Sequence, residues 1–410
     1  MSSRLHQSHA LAVDGGDPVR TAPLPGWPRF SADEIRAVQA ALSSGRVNYW
    51  TGDQGRAFER EYAAAVGAGH GIAVANGTVA LELALRALGV GPGDEVIVPS
   101  RTFMASASCV ATVGARPVFA DVDPDSGNLT ARTAQAAITG HTRAVIAVHL
   151  GGWPVDMDPL MHLARDAGLA VVEDCAQAHG ACYRGRPVGG FGDVAAWSFC
   201  QDKILTTAGE GGFVTTGDRA VWRHVWSYKD HGKDPDLLAT PHDGAGFRWT
   251  HTTIGTNARM HELAAAAGRV ALRSLPDWVR RRRENGGALL RRLGALPQLR
   301  VPLPPDEPDT HASYYRAYAY LRPETLRPGW DRDRVLRAIR AEGIPCSVGS
   351  CGEVYRERAF AGAGPGVGRL PVAARLADTS LAFLVHPTLT LDDMRDAADA
   401  AEKVLSAASV

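Results

Sequence analysis

From residue 71 to residue 175 the chain switches repeatedly between short, almost uninterrupted aliphatic runs and segments spaced like helices. "GIAVA" (71–75), "DEVIVPS" (94–100), "RPVFADV" (116–122), "RAVIAVHL" (143–150) and "LAVVEDC" (169–175) read as strands. Between them "TVALELALRAL" stops at Gly89, and "TFMASASCVATV", "TAQAAI" and "MDPLMHLARDAG" carry helical spacing. A strand that is apolar on both faces must be covered on both faces, and an intervening helix supplies each cover. The pattern calls for a mostly parallel sheet wound by right-handed crossovers, hence one large α/β domain. We expect it over residues 31–270, opened by "SADEIRAVQAALSS" with Ser31 and Glu34 at capping-box spacing, so residues 1–30 form an N-terminal arm.

After residue 271 the texture changes. An Arg-rich helix ("WVRRRRENGGALLRRLGAL") leads to a Pro-rich connection, a tyrosine-rich strand ("SYYRAYAYL"), a helix from Asp331 to Gly343 and a last helix capped by Thr390. This is a second, smaller α+β domain, residues 271–410. Lys plus Arg and Asp plus Glu number 44 each, leaving no net charge to gather nucleic acid or an anionic membrane. No stretch approaches the roughly 18 apolar residues of a membrane span. A cytoplasmic protein acting on small molecules is expected, its six cysteines mostly buried as small hydrophobes without any C-x-x-C pair.

Three places carry chemistry. In "ANGTVAL" a strand end meets a helix start at Asn76, Gly77 and Thr78. Free backbone N–H groups, a glycine permitting close approach and a hydroxyl make an anion site there, although the same turn also serves as a plain cap. In "VVEDCAQAHG" Asp174 stands at the carboxyl end of a strand, where it caps a helix or meets a cationic ligand. In "WSFCQDKILTTAGEGG" Lys203 follows an apolar strand and is expected to be partly desolvated, easier to deprotonate, and nucleophilic toward an aldehyde. Phosphate cradle, ring-nitrogen partner and amine are together what pyridoxal 5'-phosphate requires. Phe103 is placed to stack on its ring or to sit in the core. No metal is expected: His149, Asp174 and His179 are ligand types, but lack the H-x-x-x-H or H-E-x-x-H spacing of a zinc helix.

These stretches, with "GGDPVRTAPLPGWP", "IGTNARMHELAAAAG" and "LVHPTLT", resemble the DegT/StrS (DegT/DnrJ/StrS) family of sugar aminotransferases, within the fold-type I group similar to aspartate aminotransferase. The resemblance implies that Lys203 forms the imine with the cofactor and shuttles the proton, and that Asp174 holds the pyridine nitrogen. It further implies that Gln177 contacts the ring oxygen, that Gly77, Thr78 and Ser198 bind the phosphate, and that Phe103 stacks. Asn257 matches the asparagine that a homodimer sends to its neighbour's phosphate; Thr256 and Ala258 stand where many relatives carry aromatic residues.

The implied reaction moves an amino group from glutamate or glutamine to a nucleotide-linked keto-deoxysugar or a cyclitol ketone, in antibiotic or glycan biosynthesis. Tyr49, Trp50, Lys229, His231 and Tyr315 are candidates for the acceptor pocket. Relatives that make aminohydroxybenzoate, or that dehydrate sugars with histidine in place of the lysine, are alternatives. A non-catalytic regulator on the same fold is another, and the Arg280–Arg283 run on one helix is expected to be a solvated face rather than a nucleic-acid site.

Overall fold

The computed structural model describes residues 10–242, 244–362 and 368–410. Five strands alternate with helices, β1 (His70–Val74), β2 (Glu95–Pro99), β3 (Arg116–Ala120), β4 (Thr142–Val148) and β5 (Ala170–Asp174). A short hairpin of β6 (Cys182–Tyr183) and β7 (Arg186–Pro187) precedes β8 (Val194–Ser198) and β9 (Gly212–Thr216). The central sheet has the order β1-β9-β8-β5-β4-β2-β3. Strands β3, β2, β4, β5 and β8 pair in parallel, and β9 pairs antiparallel with both β8 and β1. Only β9 therefore runs against the rest, and β1, β2, β5 and β8 all deliver their carboxyl ends to one edge.

The aliphatic runs explain the sheet's double cover. Val96 and Val98 pack into one core while Ile97 between them packs into another, and Val145 and Ile146 divide in the same way. The segment "TAQAAI" is helical only as far as Gln135, in the short helix Ala131–Gln135 opened by a Thr130–Thr133 capping box.

The second lobe carries an antiparallel sheet of β10 (Leu299–Arg300), β11 (Ala317–Leu321), β12 (Cys346–Ser347) and β13 (Ser380–Phe383), in the order β10-β11-β13-β12. Position 270 lies inside one continuous helix, Glu262–Leu293, whose first turns join the core around Phe58 and whose last turns join the small-lobe core. The arm is fastened to that lobe: Leu11 is part of its core, and the amides of Ala12 and Val19 donate to the Glu342 carboxylate at 2.9 and 3.0 Å. Among the described residues no helix is long and apolar enough to cross a membrane.

Candidate active site

A cleft of about 780 Å³ opens where β1, β2, β5 and β8 end. Gly77, Thr78, Phe103, Asp174, Gln177, Ser198, Lys203 and Tyr315 all line it, although they are spread over more than half of the chain.

On one wall the helix Gly77–Ala87 begins directly after β1, with the Asn76 side chain accepting from the Val79 amide at 2.9 Å. A Cβ on Gly77 would stand 2.6 Å from Ser198 Cβ, so only glycine lets this helix start approach the end of β8. The amides of Gly77 and Thr78 point no hydrogen bond at any protein acceptor among the described residues. Ser198 is fixed from behind by its carbonyl, which accepts from His179 Nε2 at 2.8 Å, while His179 Nδ1 accepts from the Tyr62 hydroxyl at 2.7 Å. Buried in this way, His179 is neutral, its pKa lowered to about 3.

At the end of β5 the buried Asp174 accepts from Ser106 Oγ at 2.7 Å and from the Ala176 amide at 3.1 Å. No helix follows, so Asp174 is not a cap. Burial pushes its carboxyl up against those two hydrogen bonds and the more distant charge of Lys203. A buried carboxylate of this kind favours a cationic partner in the cavity. Gln177 is oriented by the Gly151 amide, which donates to its Oε1 at 2.8 Å. Phe103 precedes the helix Met104–Thr112 and is 63% exposed at the mouth of the cleft, so its ring is not core packing.

Lys203 differs from expectation. Burial alone disfavours its ammonium, but attraction to the Tyr315 phenol oxygen and the Asp202 carboxylate outweighs that, and the amine is held above its ordinary pKa. Lys203 Nζ lies 3.2 Å from Asp202 Oδ1 and 5.1 Å from the centre of the Tyr315 ring. Its backbone carbonyl accepts from Trp27 Nε1 at 2.8 Å, tying the arm to the site.

The remaining expected residues stand apart from this chain's own cleft. Lys229 is fully buried and paired with Glu59 at 2.7 Å beneath the Tyr49 ring, and Tyr49 Oη donates to the same carboxylate at 3.0 Å. Neither is free to hold an acceptor, because that ammonium is already neutralised. Trp50 donates from Nε1 to Asp230 at 2.7 Å, and His231 is exposed at φ 61°. Asn257 is exposed, in a strand-like bridge with Asp230.

The metal-ligand set does not assemble. His179 points at Tyr62 and Ser198, whereas His149 pairs with Glu173 at 3.1 Å. His149, Glu173 and Cys175 do approach within 4.8 Å. That group is a closed network, however, with Glu173 also accepting from the amides of Gly189, Phe191 and Gly192 and His149 Nδ1 from Val155. Of the six cysteines, Cys109, Cys175 and Cys346 are buried, while Cys182, Cys200 and Cys351 are half-buried and free.

Ser106, Asp202, Arg316 and Trp27 belong to the site but escape the sequence reading. Ser106 had a signal, a hydroxyl three residues after Phe103 on the helix that follows it. Trp27 and Arg316 act across long sequence separations and had none, whereas Asp202 stands directly before the lysine that it pairs with.

The profile of the DegT/DnrJ/EryC1/StrS aminotransferase family matches residues 28–402. The chain belongs to that family. Among relatives of this aminotransferase, the dTDP-3-amino-3,4,6-trideoxy-alpha-D-glucose transaminase of Streptomyces venezuelae is 37% identical over 88% of this chain and 89% of its own. The L-glutamine:2-deoxy-scyllo-inosose aminotransferase of Streptomyces kanamyceticus is 37% identical over 97% of both. The solved structure of an aminotransferase from Psychrobacter cryohalolentis is 47% identical, with a TM-score of 0.91 over 94% of this chain and 100% of that one. Its neighbours share the fold-type I architecture expected from the sequence.

Proposed function

We propose that this aminotransferase works with pyridoxal 5'-phosphate in the cleft and moves an amino group from glutamate or glutamine to a ketone of a nucleotide-linked deoxysugar or a cyclitol. The carrying observation is that Lys203 and Asp174 face one cavity whose opposite wall offers unpaired helix-start amides.

The donor set fits the cofactor. The amides of Gly77 and Thr78 with the Ser198 hydroxyl suit a phosphate, buried Asp174 suits a protonated ring nitrogen, and Phe103 has a free ring for the pyridine. When bound, the cofactor supplies an aldehyde for the amine and a ring that accepts electrons from the substrate's α-carbon. Asp174, oriented by Ser106, keeps a positive charge on the ring side of the cleft. Lys203 would serve as the base for the proton on that carbon, and Asp202, 3.2 Å from its amine, would balance the charge of its protonated form.

A homodimer would account for Asn257, which stands outside this chain's cleft. Phe247, Trp249 and Ile254 are 74%, 84% and 90% exposed on the segment leading to Asn257, an apolar surface suited to a second copy that would bring Asn257 to the partner's phosphate. The substrate class is supported by the two relatives, which are named for a dTDP-linked amino sugar and for 2-deoxy-scyllo-inosose.

The test is spectroscopic. Protein mixed with the cofactor should give a visible imine absorption, which borohydride removes while fixing the cofactor onto Lys203; without borohydride, glutamate or glutamine should bleach the absorption, and a keto sugar or cyclitol ketone should restore it. Cofactor that borohydride still fixes onto Lys203→Ala protein to the same extent, or restoration by neither ketone class, would overturn the proposal.

A further inference from the structure

We propose that Arg316 receives the carboxylate of the amino-acid donor, at the corner where the cleft meets a second cavity between the arm and the small lobe. This deepens the aminotransferase proposal and rests on it.

The second cavity, of about 530 Å³, is walled by arm residues Pro23 to Trp27 together with Arg340 and His386, and it shares Asp202 and Arg316 with the cleft. Arg316 makes no side-chain hydrogen bond among the described residues. Its guanidinium lies 4.6 Å from the Tyr315 ring centre, on the same ring that Lys203 Nζ approaches, and its nearest acid is Asp202 at 3.8 Å. One carboxylate thus bridges Lys203 and Arg316. Asp202 thereby shows what the space between them accepts.

That carboxylate is oversubscribed. It meets the Lys203 ammonium, the Tyr315 hydroxyl and Arg316. Behind them Arg282 is fully buried against Trp27 at 5.1 Å, with Nε and Nη2 lacking any partner among the described residues. Burial, with Arg316 nearby, pulls Arg282 down to about 9, and His386 at the cavity wall is depressed to about 3 by burial and the same two arginines. Positive charge therefore exceeds negative charge at this corner, and an arriving anion relieves it.

An α-amino acid carries its nitrogen and carboxylate on one carbon. With the nitrogen directed to Lys203, the carboxylate comes to Arg316, whose planar fork accepts it bidentately. The donor's side chain then extends into the second cavity, past Trp27.

Glutarate, a dicarboxylate with no amino group to transfer, is the probe, titrated calorimetrically into the full chain with its cofactor. Arg316→Gln should weaken glutarate at least about tenfold and raise the donor KM by a similar factor while leaving the acceptor KM unchanged. Asp202→Asn, which releases Arg316, should tighten glutarate, a direction that general structural damage does not give. The proposal is overturned if Arg316→Gln keeps both glutarate affinity and donor KM, or if Asp202→Asn weakens glutarate. A parent protein that transfers no amino group from any amino acid would instead overturn the function proposed above.

Discussion

Ser106 Oγ lies 2.7 Å from Asp174 Oδ2, joining a helix of the large lobe to the carboxyl end of β5. It is the shortest-range support of a carboxylate that burial would otherwise drive toward its neutral form. Removing it with Ser106→Ala leaves one Asp174 oxygen short of a donor, at a cost of about 1–3 kcal/mol. Chemical denaturation of the cofactor-free protein measures that cost. Cofactor affinity should fall in parallel, because less of Asp174 is ionised.

The same burial fixes a pH dependence. Because Asp174 is raised in the folded, cofactor-free protein, its contribution to stability is present at pH below the unfolded carboxylate pKa and is lost as pH rises through the folded value. Asp174→Asn should therefore be more stable than the parent at pH 8 without cofactor, and should lose the stabilisation that the cofactor brings. Thermal melts with and without cofactor separate the two effects.

His179 works in the opposite sense. Its folded pKa of about 3 lies below the ordinary histidine value, so the stability it supports is complete above pH 6.5 and drains away as pH falls toward 3. In His179→Gln the melting temperature should depend less on pH across that window, by the equivalent of one proton taken up on unfolding.

Gly77→Ala would force a methyl to within 2.6 Å of Ser198 Cβ and 3.1 Å of its Cα. We expect a loss of about 1–3 kcal/mol in stability, together with weaker binding of the cofactor as the two phosphate-side elements are pushed apart. A titration of the cofactor followed by absorbance reads the second effect, and Ser198→Gly in the same chain, which removes the clashing Cβ, should partly restore the stability.

Subunit mixing tests whether Asn257 serves a neighbouring site. Lys203→Ala and Asn257→Ala proteins, each impaired alone, should recover activity when unfolded and refolded together, because about a quarter of the sites then combine an intact Lys203 with an intact Asn257. No recovery would show that Asn257 does not cross between subunits.

Much of this was legible in the chain itself. The aliphatic runs around Val96, Val145 and Val171 define strands covered on both faces, and the turns at Gly77, Asp174 and Lys203 sit where those strands deliver them. What the sequence hid are relations between remote partners. Nothing near Lys203 announces that Asp202 would also hold Tyr315 and approach Arg316, more than a hundred residues away, so the amine was expected to be easily deprotonated when the fold instead keeps it charged. Likewise Lys229 is followed in sequence by Asp230, and nothing there reveals that its partner is Glu59, 170 residues away, so it reads as a binding group rather than as buried structure.

The helix from Glu262 to Leu293 has a bearing on engineering. Since its opening turns are bedded in one lobe and its closing turns in the other, cutting at residue 270 would strip Ala271, Leu275 and Val279 from the large-lobe core around Phe58. Chimaeras that exchange lobes with relatives should place their junctions outside this rod, so that it is inherited whole from a single parent.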